Sequence, residues 1–355
     1  MKLMENFKYK KVLFIGLGGA GQRHLRIFQD LLPIETKFLA FRSKSSTPLL
    51  KKDFTVNTKS NLKKKYNLQE FDSLESAFEQ KPDLTVISTP SSLHVDYMIS
   101  AVKSGSSVFV EKPWSDNLNN FDIFSQLILN KKLAFNISFQ RRYHPQIFEV
   151  NKFIKDGKLG KPISASFNVF SNVPFWHPYE DWKKLYAVNL NLGGGVLLTE
   201  IHEIDLIYWF FGLPKEVFCI GGNRSVEKLD VEDTTQIILI YEGFSVNITL
   251  CFMHKKQSRN FHIAGNNADI TWDDSNKELI ISSFNNESDC LIDKSLIEND
   301  DMFFNQAKKF ISNWSDNDTE IALNSASSSL AIVEAAKKSL SSGKKEKIEN
   351  HLILL

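Results

Sequence analysis

Short apolar runs rich in β-branched and aromatic residues recur along the first hundred or so positions, and each is followed by a stretch with helical spacing. Val12 to Ile15, Lys37 to Phe41, Leu84 to Ser88 and Ser107 to Val110 read as buried strands, because each is a brief apolar run bounded by turn formers. Between them, Gly19 to Leu32, Ser73 to Gln80 and Ser91 to Ser104 carry the helical period. Strands separated by helices of that length run parallel through crossover connections, which is the doubly wound α/β arrangement. Ligands in such sheets bind at the carboxyl ends of the strands.

The pattern changes after about residue 130. A helix near Gln146 to Lys155, a strand near Ile163 to Phe170 and an aromatic, proline-bearing loop from Pro174 to Trp182 come first, followed by a helix over roughly Val196 to Phe211. Strands are then expected at Glu216 to Ile220, Thr234 to Tyr241, Ser245 to Phe252, Asn260 to Ala264 and Glu278 to Ser283, with a tight turn at Tyr241 to Phe244. Helices near Met302 to Asn313 and Ser325 to Ser341 close the chain, the second stopped by Gly343. The fold class is therefore α/β: an N-terminal Rossmann doubly wound parallel sheet plus a C-terminal α+β domain with a large, mostly antiparallel open sheet. The expected division is residues 1–132 for a dinucleotide and 133–355 for substrate binding and oligomerisation.

Composition narrows the function classes. A chain of 355 residues with 42% hydrophobic and 24% charged residues has room for two ordinary globular cores. Lys plus Arg number 43 and Asp plus Glu 42, a net charge of +1, so no global field favours nucleic acid or an anionic membrane. The basic clusters Lys51-Lys52, Lys63-Lys64-Lys65 and Lys131-Lys132 read as solvated faces. Cys219, Cys251 and Cys290 lack CxxC spacing, which argues against a zinc ribbon, an iron–sulfur site or a disulfide framework; no metal site is expected. The N-terminal residues carry Lys2, Glu5, Lys8, Lys10 and Lys11 and form neither a signal-peptide core nor a membrane span, so the expected location is the cytoplasm.

Gly16-Leu17-Gly18-Gly19-Ala20-Gly21 follows the first strand and opens a helix, the setting of dinucleotide binding. Gly16 permits the tight turn, Gly18 lets backbone approach a pyrophosphate, Gly21 lets helix and strand pack, and the N–H groups around Gly19 and Ala20 face the phosphates with the helix dipole behind them. Gln22 in place of Lys disfavours a P-loop. The end of the second strand, Phe41-Arg42-Ser43-Lys44, lacks the carboxylate that grips the ribose of NAD. Arg42 and Ser43 there lean the cofactor toward NADP, with NAD retained as the alternative and Arg42 then merely solvated.

Thr89-Pro90-Ser91-Ser92-Leu93-His94 and Val110-Glu111-Lys112-Pro113 place polar residues at two further strand ends. With the glycine motif, with Arg142-Tyr143-His144-Pro145, Gly157-Lys158-Leu159-Gly160 and Gly193-Gly194-Gly195 leading to His202-Glu203-Ile204-Asp205, the chain resembles the Gfo/Idh/MocA oxidoreductases over nearly its whole length. The resemblance implies a nicotinamide-dependent dehydrogenase in which Lys112 of Glu-Lys-Pro lies between nicotinamide and substrate and a histidine of the second domain, His202, is the acid/base. It also implies cofactor contacts for Thr89, Pro90, His94, Glu111 and Lys112. The chemistry agrees: an imidazole suits removal of a hydroxyl proton near neutral pH, and an ammonium polarises a carbonyl or steadies an alkoxide.

One departure stands out. The family commonly places an Asp four or three residues before that histidine, where this chain has Leu198 and Thr199. Asp205, three residues after His202, would share its helix face, where it is expected to orient the imidazole and to contact the substrate. Arg141, Arg142 and His144 read either as contacts to a phosphate or carboxylate of the substrate or as structural salt bridges. Trp176 and the aromatic loop to Trp182 read either as a sugar-stacking surface or as a loop pinned by its own rings. The expected activity is hydride transfer at a secondary hydroxyl or ketone of a sugar, sugar nucleotide or polyol. The alternatives are a redox-neutral enzyme with tightly held NAD(P) and a non-catalytic NAD(P)-binding protein. The open sheet would be covered in a homo-oligomer, a dimer or tetramer.

Overall fold

β1 (Lys11–Ile15) has every residue but its first buried, as expected of a strand covered on both faces. The computed structural model describes residues 8–42, 47–285, 290–294 and 297–351. In it the chain forms two compact units. The first holds the residues up to Ser138 together with His177–Asp181 and Phe303–Ala326; the second holds Phe139–Trp176, Trp182–Met302 and the residues from Ser327 onward.

In the first unit β1 is followed by α1 (Gly19–Leu31), β2 (Lys37–Phe41), α2 (Leu62–Tyr66), β3 (Gln69–Phe71), α3 (Leu74–Glu79), β4 (Leu84–Ile87), α4 (His94–Lys103), β5 (Ser107–Val110), α5 (Phe121–Asn130) and β6 (Phe135–Ile137). All six strands are parallel in the order β3-β2-β1-β4-β5-β6. The order reverses between β1 and β4, so the carboxyl ends of β1, β4 and β5 stand side by side at the switch point where such sheets bind ligands. Asn61 and Ser73 cap α2 and α3 by accepting from the N–H groups of Lys64 and Ser76. α1 has no side-chain cap and no acid in its first turn, which leaves its positive end to the glycine turn. Phe14, Phe28 and Phe109 interlock in the core, Phe28 edge-on to Phe109 at 5.4 Å. Phe303 and Phe310 join the same cluster, and Gln306 donates to the Ile137 carbonyl at 2.9 Å.

The second unit contains α6 (Pro145–Lys155), β7 (Pro162–Asn172), α7 (Val196–Thr199), α8 (His202–Phe211), β8 (Glu216–Gly222), β9 (Thr234–Ile240), β10 (Ser245–Cys251), β11 (Met253–Gly265), β12 (Ala268–Asp273), β13 (Glu278–Ser283) and β14 (Leu291–Asp293). Its later elements are α9 (Asn299–Ser312) and α10 (Asp316–Ser342), each of which contributes residues to both units, and β15 (Glu346–Lys347). The nine strands are ordered β14-β13-β12-β11-β7-β10-β9-β8-β15 and pair antiparallel except for β7 with β10. Period-2 burial is clear: Ala165, Phe167 and Val169 of β7 and Val246, Ile248 and Leu250 of β10 face inward. Phe167 stacks on Phe261 at 5.0 Å, Phe261 on Trp272 at 5.3 Å, and Phe210 of α8 closes on both phenylalanines.

Several boundaries differ from the sequence reading. The helix expected over Val196 to Phe211 is two helices, because Glu200 leaves helical geometry (φ −101°, ψ 31°) and its carboxylate bonds to Arg259 and Ser171. α10 begins at Asp316 rather than Ser325, with Ser315 accepting from the Asp318 N–H at 3.2 Å while Asp318 accepts from the Ser315 N–H at 2.9 Å. β11 runs for 13 residues, well beyond Asn260 to Ala264. Among the described residues no helix is long and apolar enough to cross a membrane.

Candidate active site

The glycine turn is shaped by two close approaches and one opening. Gly16 has φ +88°, and a Cβ there would sit 2.5 Å from the Ser88 carbonyl oxygen; a Cβ on Gly21 would strike the Gly16 carbonyl oxygen. At Gly18 a Cβ would meet, among the described residues, only the Tyr179 hydroxyl, 3.8 Å away. The backbone is thus exposed at the position where a pyrophosphate must come close, and the residues fit a dinucleotide. Ala20 lies in the same first turn. Buried Gln22 locks the turn, its amide donating to the Leu17 and Pro48 carbonyls and accepting from the Leu50 N–H.

Tyr179 was not singled out by the sequence beyond its place in the aromatic loop. Its hydroxyl accepts from the Gly19 N–H at 3.1 Å, a donor that a bound phosphate would take. The phenol is braced by His177, stacked on it at 5.3 Å, and His177 in turn meets Phe54 edge-on and bonds to Glu180 at 2.7 Å. Burial, followed by the bond to the Glu180 carboxylate, raises the phenol above its ordinary range, so it stays protonated. Trp176 precedes this strap, is half-buried, and belongs to the second unit.

The ends of β4 and β5 carry the next group. His94, fully buried at the start of α4, lies 2.9 Å from both the Thr89 and Pro113 carbonyl oxygens, bracing one strand end against the other. Burial depresses its pKa, so the neutral ring donates to one of the two at a time. Pro90 leads into the short turn Ser91–Leu93 ahead of α4. Glu111 accepts from buried His24 of α1 at 2.6 Å and from the Lys112 N–H at 3.2 Å. Burial opposes ionisation of Glu111, but the hydrogen bond and charge of His24, with Lys112 and Arg23, hold it below the usual carboxylate range. Lys112 is half-buried, and its bond to Pro113 is cis. Arg42, at the end of β2, bonds through its guanidinium to Glu70 at 2.8 Å; Ser43 lies outside the described residues.

In the second unit His202 is the first residue of α8, and the amide nitrogen of Gln140 lies 3.3 Å from its Nε2. That amide N–H donates to Nε2 when Nε2 carries no proton, and it brings no charge to the ring. Asp205 does not orient His202, contrary to the sequence expectation. Its carboxylate is clamped by both forks of Arg142, at 2.8 and 2.6 Å, with Ser329 donating at 3.4 Å. Arg142 is likewise engaged, lying over the rings of Trp209 and Phe139, so Arg142 and Asp205 stand as a part-buried salt bridge. His144 is buried edge-on to Trp272, and burial with the neighbouring Arg141 charge pushes its pKa down to about 4. Arg259 of β11 bridges Glu200 and Glu203 at 2.6 and 2.7 Å, which removes Glu200 as a substitute acid for His202. Among the described residues no group of three or more His, Cys, Asp or Glu side chains could hold a metal ion.

A family model described as "Oxidoreductase family, NAD-binding Rossmann fold" matches residues 10–138, and one described as "GFO/IDH/MocA C-terminal domain" matches residues 147–271. The chain belongs to the Gfo/Idh/MocA oxidoreductase family. It is similar to a scyllo-inositol 2-dehydrogenase (NAD(+)) of Bacillus subtilis, 28% identical over 144 residues, 41% of this chain and 39% of that one. It is also similar to a 2,7-anhydro-N-acetylneuraminate hydratase of Mediterraneibacter gnavus, 25% identical over 166 residues, 46% of this chain and 43% of that one. The chain thus spans well under half the length of these curated relatives in the matched stretches. Its fold is that of a solved NAD binding oxidoreductase from Klebsiella pneumoniae, with a TM-score of 0.79 at 14% identity, covering 96% of this chain and 99% of the other. As a Gfo/Idh/MocA protein, the chain has the parallel dinucleotide sheet and the mostly antiparallel second sheet expected of it.

Proposed function

We propose that this Gfo/Idh/MocA protein is an NAD(P)-dependent dehydrogenase acting at a secondary hydroxyl, or the matching ketone, of a sugar, sugar nucleotide or polyol. The observation that carries the reading is the opening above Gly18 at the uncapped N-terminus of α1, with Glu111 and Lys112 at a strand end of the same switch point. When bound, the nicotinamide supplies the hydride acceptor. Lys112, its backbone tied by the His24-bonded Glu111, polarises the substrate oxygen, and His202 takes the hydroxyl proton as the carbon–oxygen double bond forms. Thr89 and Pro90 line the cofactor side, while His94 acts on it through the strand ends it braces. The dehydrogenase relative supports a polyol-like substrate. Cytoplasmic residence and a homo-oligomer closed over the second sheet belong to the same proposal.

Lys112→Ala and His202→Ala are each expected to retain dinucleotide binding within a few-fold while losing about 100-fold or more in turnover on a polyol panel. Full activity in both purified variants would sink the assignment. A redox-neutral second reading has one observation behind it: a 2,7-anhydro-N-acetylneuraminate hydratase is among the relatives. Product formation with no net change in nicotinamide absorbance, together with dinucleotide retained through purification, would select that reading.

A further inference from the structure

A carboxylate that the end of β2 lacks stands beside it on the neighbouring strand, paired with Arg42. β3 pairs with β2 in parallel register, Ala40 opposite Glu70 and Phe41 opposite Phe71, and the Arg42 N–H donates to the Phe71 carbonyl at 3.1 Å. That register puts Glu70 beside the side chain of Arg42, whose Nη1 donates to Glu70 Oε1 at 2.8 Å and whose Nη2 donates to the Thr47 carbonyl at 3.3 Å. The two side chains are only 11% and 25% exposed, so the pair is held rather than flickering in solvent.

We infer that Glu70 selects an adenosine ribose bearing a free 2′-hydroxyl over one bearing a 2′-phosphate, by occupying Arg42. The inference rests on the dinucleotide-binding reading and goes beyond it by assigning the selectivity to a residue outside β2. A 2′-phosphate needs a guanidinium fork of its own; here one arm is spent on Glu70 and another on Thr47. A phosphate arriving at Arg42 would also come within a few ångströms of a carboxylate, and like charges at that range repel strongly at a part-buried site. A 2′-hydroxyl is uncharged and meets no such cost. Arg42 alone leans the site toward NADP; Arg42 with Glu70 turns it toward NAD.

The test is tryptophan-fluorescence titration of the full chain with NADH and with NADPH, for wild type, Glu70→Gln and Arg42→Ala, with thermal melts to establish folding. Wild type is expected to bind NADH about tenfold more tightly than NADPH, and Glu70→Gln to erase most of that ratio through tighter NADPH binding. Arg42→Ala, which leaves the Glu70 charge uncompensated, is expected to widen the ratio. Binding of both dinucleotides with the same ratio in wild type and folded Glu70→Gln would overturn the inference alone, as would a wild type that prefers NADPH. Should Glu70→Gln not fold, a ratio unmoved or narrowed by Arg42→Ala would overturn it equally. Uptake of neither dinucleotide by folded wild type would overturn the dinucleotide reading itself, and this inference with it.

Discussion

Single residues at the glycine turn separate stability from binding. Gly16→Ala forces a side chain into left-handed backbone and against the Ser88 carbonyl, so it is expected to lower the unfolding free energy by about 1–3 kcal/mol in urea titrations. Gly18→Ala meets nothing but the Tyr179 hydroxyl among the described residues; it should melt like wild type and show its effect as weaker dinucleotide binding. Tyr179→Phe frees the Gly19 N–H for a phosphate oxygen, and since one hydrogen bond is worth about 1 kcal/mol net, NADH binding should tighten by about two- to tenfold. The sign for His144 follows from a folded pKa of about 4 against an ordinary value of 6.5. The native state holds that ring neutral, so its contribution is intact above pH 6.5 and is lost as pH falls toward 4, by about 3 kcal/mol in all. Urea midpoints measured across that window should fall more steeply for wild type than for His144→Phe. The sequence marked Gly16, Gly18, Gly21, Lys112 and His202 because their residue types are unusual at those spacings. It was silent on Glu70, Gln140 and Tyr179, whose partners are 28, 62 and 160 positions away in the chain.

Elements were legible mainly where an apolar run is buried on both faces and opaque where pairing is decided by neighbours, while α5 and β12 went unread despite their ten and six residues. β1, β2, β4 and β5 stand where the apolar runs stand, since each is buried on both faces and apolar content alone suffices. β3, β6, β14 and β15 have two or three residues, too few to show a period, and exist because a longer strand offers them a ladder. The break between α7 and α8 was hidden because its cause, the Arg259 cation on β11, is distant in sequence from Glu200. The central strand β7 offers the test of packing at this scale: Phe167, stacked on Phe261 and in contact with Phe210, fills the middle of the sheet's inner face. Phe167→Ala is expected to cost about 3–5 kcal/mol by chemical denaturation, with Phe167→Leu losing less than half of that.

At the scale of the whole chain, overall composition said little beyond two cores and no polyanion partner, and the return of residues 303–326 to the first unit has no local signature. The outer face of the nine-stranded sheet carries Ile220, 48% exposed, and Ile238, 39% exposed, on adjacent strands beside polar neighbours. If that face is buried between copies, light scattering should report a dimer or tetramer for wild type and smaller species for the double variant Ile220→Lys, Ile238→Lys. A monomeric wild type would remove the oligomer from the proposal. The strap that ends in Tyr179 has a consequence for time rather than affinity. Because its hydroxyl already sits on the Gly19 donor, a phosphate oxygen takes that donor only after the hydroxyl has left, and in stopped-flow mixing the observed rate should level off at high dinucleotide concentration at the rate of that departure.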